Sequence, residues 1–322
     1  MQDLARLSFG LGADRDAERL TRLGRHCFGE RCGRLAQTEC AGTALMTILD
    51  ESGCREPCRI ITSGGESPAL VGEIASAIGR LEHDLVLIPP TAEGLADEPS
   101  LHRALHSKRT GTRTLFVCGV TSAYGMRAPL ERWSRFCRQA SAMLVLDMTP
   151  AVLSEQIIPS LEGVTGVLAQ VRHTEGTTQR WAYHRPESEV FGGLGDGHAV
   201  RRISALDRQL RSALAEHTAV HLFVHSKDPA PLPNTHAPGL AAFSIRGWSA
   251  KEASAVLDEC FSLEIDPGPL SAVPLPFPRG AARREDPLRA ILSPEHDAED
   301  IAFLSEAIAR LAATSPASCT SH

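Results

Sequence analysis

Residues 144–187 read LVLDMTPAVLSEQIIPSLEGVTGVLAQVRHTEGTTQRWAYHRPE, and this stretch decides how the rest of the chain is understood. It holds two short apolar runs of strand length, LVL from Leu144 and VTGVLA from Val164. The first ends in Asp147; the second leads into Gln170, Arg172 and His173. Continuous apolar runs of this length suit strands buried on both faces of a parallel sheet, and ligands of open α/β sheets bind beyond the carboxyl ends of such strands. Asp147 and His173 are therefore the first candidate site residues.

Working outward, the chain alternates helical and strand patterns. GTALMTILDES, from Gly42, predicts a helix and CRIITS, from Cys58, a strand. SPALVGEIASAIGRL, from Ser67, predicts a second helix and DLVLIPPT, from Asp84, a second strand. TRTLFVCGV and AMLVLDMT follow as buried strands. The segment between them, APLERWSRFCRQA, repeats Leu130, Trp133, Phe136 and Cys137 at helical spacing. This punctuation predicts an α/β large domain whose mainly parallel sheet is sandwiched by helices. The glycine-rich FGGLGDG, residues 191–197, does not follow a strand as a phosphate loop would, and is expected to be a connector into a crossover helix. Beyond it VHLFVH, LAAFSIRG, SAKEASAVLDECF and DAEDIAFLSEAIARLAA predict a small C-terminal α+β domain. The expected division is 1–198 and 199–322, with a frayed tail from Ser315.

Composition narrows the functions. The chain has 322 residues, 43% of them hydrophobic and 5% aromatic, an ordinary globular make-up. A net charge of −6 supplies no basic field for nucleic acid, and no apolar run approaches the ~20 residues that span a bilayer. The N-terminal MQDLARLSFGLGADRDAERL lacks an apolar signal core, so a cytoplasmic protein is expected. Nine cysteines, an odd number, suit reduced thiols, and Cys27-x4-Cys32 and Cys54-x3-Cys58 are not zinc-ribbon spacings. His217, His221 and His225 recur every fourth residue, but AVHLFVH reads as a strand, which separates them too far to chelate together; no metal is expected.

These segments, in this order, resemble the class V aminotransferase and cysteine desulfurase family, pyridoxal-phosphate enzymes of fold type I. In that family the first strand ends in an Asp that pairs with the pyridine nitrogen. The next leads into a Ser-Gly-His-Lys motif whose Lys forms the Schiff base. Asp147 matches the Asp, and the gap-free placement of Gln170, Val171, Arg172 and His173 sets His173 at the Lys position. Imidazole can move a proton but cannot form the aldimine. The chain has only three lysines, Lys108, Lys227 and Lys251, and an ordinary member of the family would need one of them in the pocket.

The resemblance extends in both directions. TECAGTALMTIL resembles the segment that cradles the cofactor phosphate at a helix N-terminus. It places Glu39 and Cys40 near the family's threonines, with Thr38 and Thr43 within a slip of one or two residues. ITSGGESPALVGEI resembles the segment whose His stacks on the pyridine ring, and Ser67 holds that place. LAAFSIRGWSAKEASAVLDECFSLEIDPGPLSA sets Ser271 at the catalytic Cys position. LRAILSPEHDAEDIAFLSEAI matches Arg289 to the Arg that binds the substrate carboxylate. The family's N-terminal arm is short here, and the Gly-Thr loop that reaches the neighbouring subunit's phosphate site is missing after His173.

What this implies is a fold retained while covalent cofactor chemistry is lost. No cofactor is expected, and pyridoxal or pyridoxamine phosphate could bind only non-covalently, with Thr38, Thr43, Asp147 and Gln170 as the remnant site. The expected role is a binding or partner subunit, a homodimer or a heterodimer with an active paralogue. It would recognise a small carboxylate or amino-acid-like ligand through Arg289, Arg172, Ser271 and Ser67. The alternative is an enzyme acting on an amino-acid-like substrate, with His173 as general base and Asp147 orienting a polar group. Asp147 also has a structural alternative, a strand-end carboxylate capping nearby amides.

Overall fold

The computed structural model describes residues 7–8, 34–38, 40–54, 57–79, 83–91, 93–107, 111–121, 124–149, 163–172, 179–185, 197–223, 236–267, 287–292 and 296–314. Strand β1 is Leu7–Ser8, β2 Arg34–Thr38, β3 Arg59–Ser63, β4 Asp84–Ile88, β5 Arg113–Cys118, β6 Met143–Asp147, β7 Gly166–Arg172 and β8 Gln179–Arg185. Helix α1 is Ala41–Glu51, α2 Pro68–Ile78, α3 Glu98–Leu105 and α4 Leu130–Gln139. Seven of the strands form one sheet in the order β2-β8-β7-β6-β5-β3-β4. The five from β4 to β7 run parallel, as the alternation predicts, whereas β8 is antiparallel to β7 and β2 antiparallel to β8.

Alternation along the strands divides the core between the two faces. Ile60, Phe116, Val145 and Leu168 pack with Leu45, Ile48 and Ile74 of α1 and α2. Ile61, Leu115, Val117, Leu144, Leu146 and Val167 pack on the other side with Leu101 and Leu105 of α3 and Trp133 of α4. Asp147 is two residues after Val145, and Cys118 two after Phe116, so both belong to the α1/α2 side.

The second unit is built from α5 (Gly197–Ala215), β9 (Val220–Leu222), β10 (Leu240–Ile245), α6 (Ala250–Phe261), β11 (Leu263–Glu264), β12 (Leu288–Ile291) and α7 (Ala298–Ala312). Its sheet runs β12-β10-β9, antiparallel throughout. Ile203, Leu206, Leu210 and Leu214 of α5 join Phe243, Leu257, Ile301, Leu304 and Ile308 in its core, which ties the crossover helix to this unit. Capping boxes start both α6, from Ser249 and Glu252, and α7, from Asp297 and Asp300. Strand β1 pairs in parallel with β11. Leu7 and Ser8, expected with the large domain from their place in the chain, therefore hydrogen-bond to the small one.

The loop after β5 stitches the units together. Met126 bridges His236, Ala237 N–H donates to Gly125 O at 2.8 Å, and Tyr124 stacks on Phe223 with ring centroids 5.2 Å apart. Gly125 has φ +68, and a Cβ there would lie 3.1–3.2 Å from Leu240, so the turn needs glycine on both counts. No helix among the described residues is long and apolar enough to cross a membrane.

A buried acid cluster at the candidate site

The carboxyl ends of β3, β5 and β6 bring together Glu66, Cys118 and Asp147. Register sets Cys118 opposite Asp147, and the Cys118 thiol donates to Asp147 Oδ2 at 3.7 Å. Asp147 Oδ1 accepts from the Thr149 N–H at 2.8 Å. Glu66 follows β3 in a turn in which Gly65 lies so close to Gly94 that a Cβ would come within 2.0 Å of the Gly94 carbonyl oxygen. The turn swings the Glu66 carboxylate over β5, where Oε1 accepts from Cys118 N–H at 3.1 Å. Its other oxygen, Oε2, is buried with no hydrogen-bond partner among the described residues.

Side chains this deep ionise reluctantly. Burial, against the opposing hydrogen bonds from Cys118 and with help from the Asp147 charge, raises the Glu66 carboxyl to about 7. Burial also raises Asp147 to about 6, against the hydrogen bonds from Thr149 and Cys118. The Cys118 thiol is pushed well above its usual value, by burial first and then by the two carboxylates, so it stays protonated and donates.

The helix N-terminus expected to cradle a phosphate is closed from within. Cys40 caps α1: its sulfur accepts from Thr43 N–H at 3.5 Å and contacts the Thr43 hydroxyl at 3.3 Å. The Thr38 hydroxyl donates to Cys40 O at 3.3 Å. Glu73 of α2 reaches across, and its Oε2 accepts from Ala41 N–H at 3.1 Å. Gly42 allows this approach, since a Cβ would lie 2.6 Å from both Ala77 Cβ and Glu73 O. A carboxylate thus already complements the positive end of the helix, where an anion would bind.

The other sequence-derived positions separate. The Ser67 hydroxyl is the N-cap of α2, accepting from Leu70 N–H at 3.2 Å. Gln170 and Arg172 lie in the part of β7 beyond its pairing with β6, opposite Trp181 and Gln179 of β8. His173 and Ser271 lie outside the described residues, as do Glu39, Lys108 and Lys227. Lys251 is exposed in the first turn of α6. Arg289 is buried in β12 and forms a salt bridge with Asp266, which it also meets through the backbone, Arg289 N–H donating to Asp266 O at 2.9 Å. That pairing inside the small unit gives Arg289, expected to take a ligand carboxylate, a structural partner.

Sequence reasoning missed Glu66, Glu73 and Cys118. The only local signal was the position of Glu66 and Cys118 at strand ends; Glu73 reads as one more polar residue on a helix. At the α1 N-terminus, where the family's cofactor phosphate would lie, stands the Glu73 carboxylate, and Asp147, matched to the residue that faces the ring nitrogen, accepts from the Thr149 N–H and the Cys118 thiol.

No family model matches this sequence, and no curated protein matches it. Solved structures do resemble it. A NifS-like protein from Rickettsia africae ESF-5 superposes with a TM-score of 0.64 at 13% identity, over 92% of this chain and 89% of that one. An apo cysteine desulfurase from Thermococcus onnurineus NA1 gives 0.66 at 13%, over 97% and 88%. A further NifS-like protein gives 0.65 at 14%, over 95% and 99%. The large parallel-sheet unit followed by a small α+β unit is thus the fold of the NifS-like cysteine desulfurases, the fold type I of pyridoxal-phosphate enzymes.

Proposed function

We propose that this chain keeps the desulfurase fold without covalent pyridoxal-phosphate chemistry and serves as a binding or partner subunit for a small carboxylate or amino-acid-derived ligand. It would act as a homodimer or beside an active paralogue. The observation that carries this reading is the closure of the α1 N-terminus by Glu73, because a fixed carboxylate excludes a phosphate dianion from the place that would anchor it. His173 at the Schiff-base position and the buried Glu66–Asp147 pair support it. The test is incubation with pyridoxal phosphate, followed by absorption spectroscopy and intact mass before and after borohydride. Unbound cofactor should wash away without added mass; a yellow protein that gains one covalently reduced cofactor refutes the proposal.

A second reading has one observation in its favour. Burial raises Glu66 to about 7 and Asp147 to about 6, toward neutral pH, a property of acid–base sites as well as of buried acid pairs. In that reading the chain is an enzyme acting on an amino-acid-like substrate with His173 as general base. A turnover whose pH profile is abolished in His173→Ala would favour it over a binding role.

A further inference from the structure

Among the described residues, the buried and half-buried arginines have partners, with one exception. Arg59 binds Asp84, Arg211 binds Asp207 and the Leu240 carbonyl, and Arg289 binds Asp266. Arg113 donates to the carbonyls of Ser107 and Ala140. Arg127 is half-buried and its Nε is sealed from solvent, yet among the described residues nothing hydrogen-bonds or ion-pairs with its guanidinium.

Its position is held from both sides. Arg127 bridges Val120 across the loop that leaves β5, Ala128 N–H donates to Gly119 O at 3.0 Å, and Met126 N–H donates to the Thr121 hydroxyl at 3.0 Å. The same loop meets the small unit through Met126 and His236. The residue therefore stands on the carboxyl-end rim of the sheet, at the seam between the units, where open α/β folds bind ligands. Val120, its bridge partner, and Ala128, its neighbour in the chain, belong to the apolar core, so the stem and Nε of Arg127 are packed while the side chain as a whole is half-buried. Removal from water also lowers the affinity of the guanidinium for its own proton. A partly buried cation without a counter-charge among the described residues lowers stability, and charges held out of water in folded proteins are usually paired.

We infer that Arg127 is an anion-binding residue at the seam between the two units, placed to take the carboxylate of a small ligand in its planar fork. The inference rests on the proposed carboxylate-binding role and names the residue that performs it, in place of Arg289. A carboxylate matches the two parallel N–H groups of a guanidinium in one plane.

The test compares wild type with Arg127→Met, which keeps the length and apolar stem of the side chain without the charge. Succinate, L-alanine and inorganic phosphate serve as separate probes, read by thermal shift and calorimetry. Succinate or L-alanine should stabilise the wild type, and Arg127→Met should bind the same probe roughly 10- to 100-fold more weakly, the usual loss for one charged hydrogen-bonding partner. Without probe, Arg127→Met should melt at the same temperature as wild type or higher, because an unpaired charge has been removed. A lower melting temperature makes Arg127 structural and overturns the inference. Equal carboxylate binding by both proteins overturns it while leaving the carboxylate-binding role intact. Stabilisation by phosphate alone, or by none of the probes, overturns both; the borohydride experiment still decides the loss of covalent chemistry independently.

Discussion

Glu66→Gln should flatten the dependence of stability on pH. Burial displaces the Glu66 carboxyl from 4.5 to about 7, so between those values the folded protein keeps a proton that the unfolded chain releases. Its favourable contribution is complete below pH 4.5 and is lost as pH rises through 7. At about 1.36 kcal/mol per pH unit the displacement corresponds to roughly 3 kcal/mol, a large share of a typical folding free energy of about 5–15 kcal/mol. Gln is nearly isosteric, never ionises, and keeps an acceptor for Cys118 N–H. Its amide would sit where Oε2 has no described partner, at a cost of about 1 kcal/mol. The variant should thus gain roughly 2 kcal/mol over wild type at pH 8 and lose about 1 kcal/mol at pH 4.5. Urea unfolding followed by circular dichroism at half-unit steps from pH 4.5 to pH 8 measures this directly, with unchanged m-values as the control for two-state behaviour. Asp147, raised to about 6, titrates in both proteins and leaves a common residual slope. If the two stability curves run parallel across the range, Glu66 ionises as freely when folded as when unfolded. The dry acid cluster would then be refuted.

Glu73→Ala removes the carboxylate that accepts from Ala41 N–H and should cost about 1 kcal/mol in urea unfolding, the usual value of a helix N-terminal partner; an unchanged midpoint would show that α1 does not depend on it. Asp266→Ala removes the carboxylate facing Arg289 and should cost about 3 kcal/mol, at the low end for a buried pair because a fifth of the Asp266 side chain is exposed. Replacing both partners, as Asp266→Leu with Arg289→Met, should cost less than the single change; equal or additive losses would refute the pairing as the reason Arg289 is there.

Much of the architecture was legible because element type depends on local period. Apolar runs such as TLFVC and MLVLD mark strands buried on both faces, and the spacing of Ile301, Leu304, Ile308 and Leu311 marks α7, within residues that touch one another along the chain. Strand β8 was less visible: QRWAYHR carries two arginines and a histidine, and its place beside β7 follows from a return of the chain rather than from composition. The end of β6, at Asp147, was legible as a candidate site for the same reason, since the carboxyl edge of a parallel sheet is fixed once its strands are.

What fills that edge was decided only by tertiary structure. Glu66 reaches Cys118 across 52 residues, Glu73 reaches Ala41 across 32, and Asp266 meets Arg289 across 23, in each case through helices or strands brought side by side. A motif match assigned Arg289 to an open site and left Glu73 unremarked, because a charged side chain has the same letter in sequence whether it meets ligand, water or an internal partner. Burial and partnership decide its chemistry, and both are properties of packing between distant segments. The sequence by itself determined that strands of this kind would end in Asp147. Packing determined that Asp147 would lie beside a protonated thiol and a second buried acid, with Arg127 at the seam without a described counter-charge.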